Sequence, residues 1–154
     1  MLLDRQTTLR DGISAGKQGP EEVIVIDHTG VDVSDAGSSR RFYEEALAPL
    51  GYKLLMELPL EATGGAVVLG FGAPPVADFW LHQGTPQRPP IHVAFRAASR
   101  EMVDAFYEAA LAAGGRDNGA PGLRPHYHAN YYGAFVLDPD GHNIEACCHN
   151  PAGV

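Results

Sequence analysis

Two stretches of the chain alternate apolar with polar residues, Val23 to Val33 and Ile91 to Ala97. Each is followed by a run in which apolar residues return every three or four positions. Alternation puts residues two apart on one face, as a half-buried strand requires, and the longer period gives a helix with one apolar stripe. The first helix is predicted through Phe42, Tyr43, Ala46, Leu47 and Leu50, with Ser34 or Asp35 at its start. The second passes through Met102, Val103, Phe106, Tyr107, Ala110 and Leu111, after Ser99 as N-cap, with Gly114 placed to stop it. Shorter alternating runs follow, at Lys53 to Leu58, Ala66 to Phe71 and Asp78 to His82 in the first half. In the second half they are Tyr132 to Leu137, Asn143 to Cys148 and an ill-defined one within Gly115 to Tyr131. Asp138-Pro139-Asp140-Gly141 reads as a tight turn, with Pro presetting the second position and Gly free to take positive φ.

The two halves are versions of one unit. An offset of 64 takes His28 of VIDHTGVDV onto His92 of PIHVAFRAA, Phe42-Tyr43-Glu44 onto Phe106-Tyr107-Glu108, and Gly51 onto Gly115. The chain is therefore expected to be α+β, with one domain over residues 22–154. Tandem βαβββ modules, about 22–83 and 91–150, are joined by a stiff linker over Gln83 to Pro90. Residues 1–21 lack sustained periodicity and read as a flexible extension.

Composition narrows the function classes. With 154 residues, 45% of them hydrophobic, the chain can bury a core without staples. The two cysteines, Cys147 and Cys148, are neighbours and poorly placed to pair with each other, which suits a reducing compartment. A formal charge of -8 opposes nucleic acid and anionic membrane surfaces as partners. Without a recognisable leader or an apolar run of spanning length, the protein is expected to be soluble and cytoplasmic.

A tandem βαβββ repeat with a histidine in each opening strand resembles the vicinal oxygen chelate superfamily of glyoxalases, extradiol dioxygenases and bleomycin- or fosfomycin-resistance proteins. The phrases IDHTGVDVSD and FVLDPDGHNIE carry the resemblance, which spans roughly Val25 to His149. It implies an incomplete barrel around a metal-binding cavity, with His28, His92 and Glu145 as ligands. Two imidazoles and a carboxylate suit a divalent ion, Fe, Mn, Ni, Co or Zn, and leave positions open for substrate. In glyoxalase I-like sites a fourth ligand comes from the strand equivalent to that of Glu145, here ADFWLHQG. The offset points to Leu81, but alternation groups Trp80 with His82. With Trp80 the site has three protein ligands and an aromatic, substrate-binding wall; with His82 a four-ligand site arises.

Asn118 to Tyr132, NGAPGLRPHYHANYY, concentrates further chemistry: Arg124 and Tyr131 to bind substrate, and His126, His128 and Tyr132 as catalytic groups for proton transfer. The bland alternative is a surface loop packed on the barrel edge. Extradiol enzymes carry a tyrosine where this chain has Phe135, and Tyr131 or Tyr132 is available to replace the missing hydroxyl. His142, in the tight turn, and His149 are expected to be solvated, and Cys147 to be a small buried thiol. The resemblance thus implies a metal-dependent glyoxalase- or dioxygenase-type enzyme acting on a small oxygen-rich molecule. The alternatives are a ligand-sequestering protein of the bleomycin-resistance type and, less well matched, a thiol transferase of the fosfomycin-resistance kind. A homodimer is expected, with the cavity completed either within one chain or across two.

Overall fold

The computed structural model describes residues 26–153; the proposed extension over residues 1–21, and Val23 to Val25 of the opening strand, lie outside them. The first module runs β1 (Thr29–Val33), α1 (Ala36–Ala46), a 3-10 turn (Ala48–Leu50), β2 (Lys53–Glu57), α2 (Leu60–Thr63), β3 (Val68–Gly72) and β4 (Phe79–Gln83). The second runs β5 (His92–Arg96), α3 (Arg100–Ala112), β6 (Arg116–Leu123), β7 (Tyr132–Leu137) and β8 (Asn143–Cys148). Of the two possible caps on α1 it is Asp35, whose carboxylate accepts the Ser38 N–H at 2.6 Å. Ser99 caps α3 by accepting from Met102 at 3.3 Å, and Gly114, at φ +96°, ends the segment. The apolar stripe of α1 continues through Leu47 to Leu50, but Pro49 stands in the 3-10 turn, so those side chains are buried from a tighter coil. The short α2, opening after Pro59, has too few residues to show a period and is not apparent in the sequence.

Each module folds into a four-stranded mixed sheet, in the orders β1-β4-β3-β2 and β5-β8-β7-β6. In both, the outer pair is parallel (β1 with β4, β5 with β8) and the other pairs are antiparallel. The sheets are not closed into a barrel: β1 and β5 are edge strands and do not pair with each other. β6, the segment without clear alternation, is an edge strand interrupted by Gly119, Pro121 and Gly122, with register irregularities against β7.

One core serves both modules. Val31, Val33, Phe79 and Leu81 from the first sheet and Phe95, Val136, Ile144 and Ala146 from the second share a single cluster with α1 and α3. The rings of Phe79 and Phe95 meet edge to face at 5.1 Å across the module boundary. Because strand side chains alternate, burying these residues turns His28, Gly30, Trp80 and His82, and likewise His92, Asn143 and Glu145, to the faces away from the core.

Polar contacts lock the junction. Tyr43 on α1 donates its hydroxyl to Asp138 Oδ2 at 2.7 Å, and both residues are buried. Asp138 Oδ1 accepts the backbone N–H groups of His142 and Asp140 at 2.8 and 3.0 Å. His142 is not solvated as expected: it is fully buried, because its turn packs beneath β1. There the Ile91 N–H donates to its Nδ1 at 3.2 Å, which leaves Nε2–H to donate to the Asp32 carbonyl at 3.0 Å. The linker docks as well, with Gln87 making a two-point contact with the backbone N–H and carboxylate of Asp32.

Candidate functional site

The outer face of the second sheet brings two of the three expected ligands together. His92 Nε2 on β5 stands 3.0 Å from Glu145 Oε2 on β8, and the carboxylate is only 2% exposed. A buried carboxylate needs partners, and Oε1 has one: Tyr131 donates its hydroxyl at 2.6 Å. Gly133 makes this contact possible, since a Cβ there would lie 3.0 Å from Glu145 Oε1 and 3.2 Å from Tyr131 Cε1. Burial first, then the bonds to Glu145 and Cys147, hold the Tyr131 phenol well above its ordinary range, so it remains a proton donor at neutral pH. His92 Nδ1 lies 3.1 Å from the Asn143 backbone oxygen and 2.8 Å from Asn143 Nδ2. When Nδ1–H donates to that carbonyl, the Nε2 lone pair is aimed at a carboxylate oxygen. A proton or a cation between the two is then what the arrangement calls for.

These groups surround a cavity of about 420 Å³, lined by His92, His128, Tyr131, Phe135, Asn143 and Glu145. Phe135 lies directly opposite Glu145 in the β7/β8 register and stacks on the His92 ring. His128 Nε2 is 2.7 Å from His149 Nδ1, and His149 Nε2 lies 3.9 Å from the buried Cys147 thiol. Burial, followed by Arg96 and His128, depresses the His149 pKa, while burial pushes the Cys147 thiol up.

His28 stands apart. It is 63% exposed, pairs with Asp27 at 2.7 Å, and lines a cavity of about 490 Å³ between the β1 and β5 edges; His92 borders that cavity and Glu145 does not. Among the described residues no three His, Cys, Asp or Glu side chains converge to hold one ion. The strand registers decide between Trp80 and His82 as the counterpart of Glu145. Gly30 pairs with Trp80 and Ala94 with Glu145, and the repeat superposes Gly30 on Ala94, so the counterpart is Trp80. His82 lies two residues further along β4, opposite Val68.

The loaded segment is split among several places. Arg124 lies over the Phe135 ring at 5.5 Å and donates to the Ala120 carbonyl at 2.7 Å, so it backs one wall of the cavity without lining it. His126 packs on Tyr127, which itself borders the cavity, but His126 does not line it. Tyr132 is turned the other way by strand alternation and donates to Asp104 on α3 at 2.7 Å, beneath Arg100. Asn143, which lines the cavity, and His149, which contacts it through His128, are the residues to which the sequence attached no role. Continuing the alternation of Glu145 and Cys147 one step each way reaches both.

The glyoxalase/bleomycin resistance protein/dioxygenase superfamily model matches residues 25–146. None of the curated proteins compared matches the chain. Among solved structures, a glyoxalase/bleomycin resistance protein from Albidiferax ferrireducens T118 is 26% identical, with a TM-score of 0.64 over 81% of this chain and 98% of that one. A glyoxalase/bleomycin resistance protein/dioxygenase family enzyme from Burkholderia phytofirmans PsJN shares the fold at 17% identity, TM-score 0.60, over 81% and 98% of the two chains. The trypanothione-dependent glyoxalase I of Leishmania major does so at 19% identity, TM-score 0.54, over 82% and 88%. With its paired βαβββ modules and a family match spanning most of its length, the chain belongs to the glyoxalase/bleomycin resistance protein/dioxygenase superfamily.

Proposed function

We propose that the protein is a metal-dependent enzyme of the glyoxalase/dioxygenase type, acting on a small molecule whose neighbouring oxygens chelate a divalent ion. The reading rests on one observation: a buried carboxylate oxygen and an imidazole nitrogen face each other at 3.0 Å, with Tyr131 and the Asn143 carbonyl available to steady them from behind. That donor set fits Fe, Mn, Ni, Co or Zn. A bound ion supplies Lewis-acid polarisation of a substrate oxygen. Tyr131 occupies Oε1 and so leaves Oε2 for the ion, while the neutral phenol keeps a donor at the cavity floor. His128, sharing a proton with His149 at the cavity wall, is placed to hold or move a proton on substrate, and Arg124, over the Phe135 ring, adds positive charge nearby for an anionic group. His126 and Tyr132, held against Tyr127 and Asp104, take no part in this reading.

The third ligand, His28, comes from a second copy of the chain. A dimer that opposes the first module of one copy to the second module of the other unites the three side chains. Metal content by plasma mass spectrometry on anaerobically purified protein, with sedimentation for the oligomeric state, tests this. Near-stoichiometric metal in a dimer is expected, lost in His28→Ala, His92→Ala and Glu145→Ala but kept in His82→Ala. Protein that takes up no metal after reconstitution refutes the enzyme reading. It would favour ligand sequestration, to which Trp80, standing where a fourth ligand would be, also lends support.

A further inference from the structure

Trp80 sits in mid-sheet on β4, and the two residues directly opposite it are both glycine, Gly30 on β1 and Gly70 on β3. Opposed residues share a face, so two side chains are missing just where an indole needs room. A Cβ on Gly70 would lie 2.8 and 2.9 Å from indole carbons Cζ3 and Cη2, and one on Gly30 would lie 3.3 Å from Trp80 Cβ. The ring therefore lies down across Gly70 instead of standing clear of the sheet. It is half-buried and borders a cavity of about 440 Å³, with Leu58 and Val68 as apolar wall and His28 and His82 at the polar end. That volume is within the range of small-molecule sites.

We propose that Trp80 is a stacking platform for a planar aromatic ligand of one or two rings, whose polar substituent points toward His28 and His82. The proposal rests on the outer faces being the substrate-binding surface, and it names the class of molecule they select. A saturated ring of the same size can fill the cavity, but only a flat π-system gains the offset stacking an indole offers. That gain corresponds to roughly a three- to tenfold preference.

Trp80 is the only tryptophan in the chain, so its emission reports on this cavity alone. Benzoate and cyclohexanecarboxylate, matched in charge and ring size, are titrated at millimolar concentration into the metal-stripped full chain. Emission and ligand-observed NMR are read together. Saturable benzoate binding with at least a threefold preference over cyclohexanecarboxylate is expected. The preference should vanish in Trp80→Leu, fall in Gly70→Ala, whose Cβ displaces the ring, and persist in Tyr132→Phe, which removes a hydroxyl bonded to Asp104 on α3. Equal binding of the two acids, no binding, or an unchanged preference in Trp80→Leu overturns the platform. Because the titration is made on metal-stripped protein, its outcome does not depend on whether the chain holds an ion: failure of the metal reading leaves this result standing, and the converse holds too.

Discussion

Replacing Tyr43 by phenylalanine removes a single oxygen from the centre of the molecule. It leaves Asp138 Oδ2, which accepts that hydroxyl at 2.7 Å, without a donor. Oδ1 keeps the N–H groups of Asp140 and His142, and shape is nearly conserved, so the loss isolates one hydrogen bond to a buried carboxylate. Bonds to charged groups contribute about 1.5–3 kcal/mol, and a chain of this size loses roughly 2–4 °C of Tm per kcal/mol, so a fall of about 4–8 °C is expected for a central 2 kcal/mol. The penalty should also depend on pH. Burial already raises the Asp138 pKa above 3.8, while the Tyr43 bond pulls it down. The native state thus binds this proton more tightly than the unfolded chain does, and the variant more tightly still. Stability attributable to Asp138 therefore rises as pH falls through the folded pKa. The gap between variant and parent should narrow on acidification, by up to about 1.4 kcal/mol per pH unit while only the variant is protonated. Urea unfolding followed by circular dichroism at pH 7 and at steps down to pH 4 measures both effects. A loss below about 0.5 kcal/mol at pH 7, or a loss that stays the same down to pH 4, refutes the reasoning.

Tyr131→Phe should weaken divalent-metal affinity about 10- to 100-fold by freeing Glu145 Oε1, whereas Tyr132→Phe should leave it unchanged; calorimetric titration of metal-stripped protein decides, and equal effects of the two count against the assignment. His149, with its pKa depressed below 6.5 by burial, binds a proton less readily in the folded state than in the unfolded one. Its contribution to stability is complete above about pH 6.5 and is lost as pH falls toward the folded value. His149→Gln should accordingly flatten the decline of Tm between pH 7 and 5, and a slope identical to the parent's would show that the acid sensitivity arises elsewhere.

How far the sequence could be read depended on whether the signal was local. β7 and β8 follow the alternation to the residue, because their turn Asp138-Pro139-Asp140-Gly141 fixes where each ends: Gly141 has φ +90° and returns its N–H to the Asp138 carbonyl. β6 has no such pattern, since glycine and proline erase it and its pairing comes from β7. The pairing of His92 with Glu145 was within reach because the repeat flagged the histidine and the turn motif the glutamate. For the counterpart of Glu145 in the first module, alternation narrowed the choice to Trp80 or His82, and the strand register then settled on Trp80. The repeat offset is 64 at the opening strands but 65 at the closing ones, so simple superposition landed on Leu81. The burial of His142 depends on which module packs beneath its turn, information that no window of sequence holds.

The single core spanning both modules has a consequence for synthesis. A ribosome that has released only the first repeat has exposed α1 and the inner face of β1–β4 without Phe95, Phe106 or Ile144 to cover them. That half is left with apolar surface unburied and with Tyr43 lacking Asp138. Stable structure must then await the last strand, β8, which is also the parallel neighbour of β5 and closes a long excursion of chain. The nascent protein is expected to stay vulnerable to proteases and chaperones until β8 has emerged, and then to consolidate in one cooperative event.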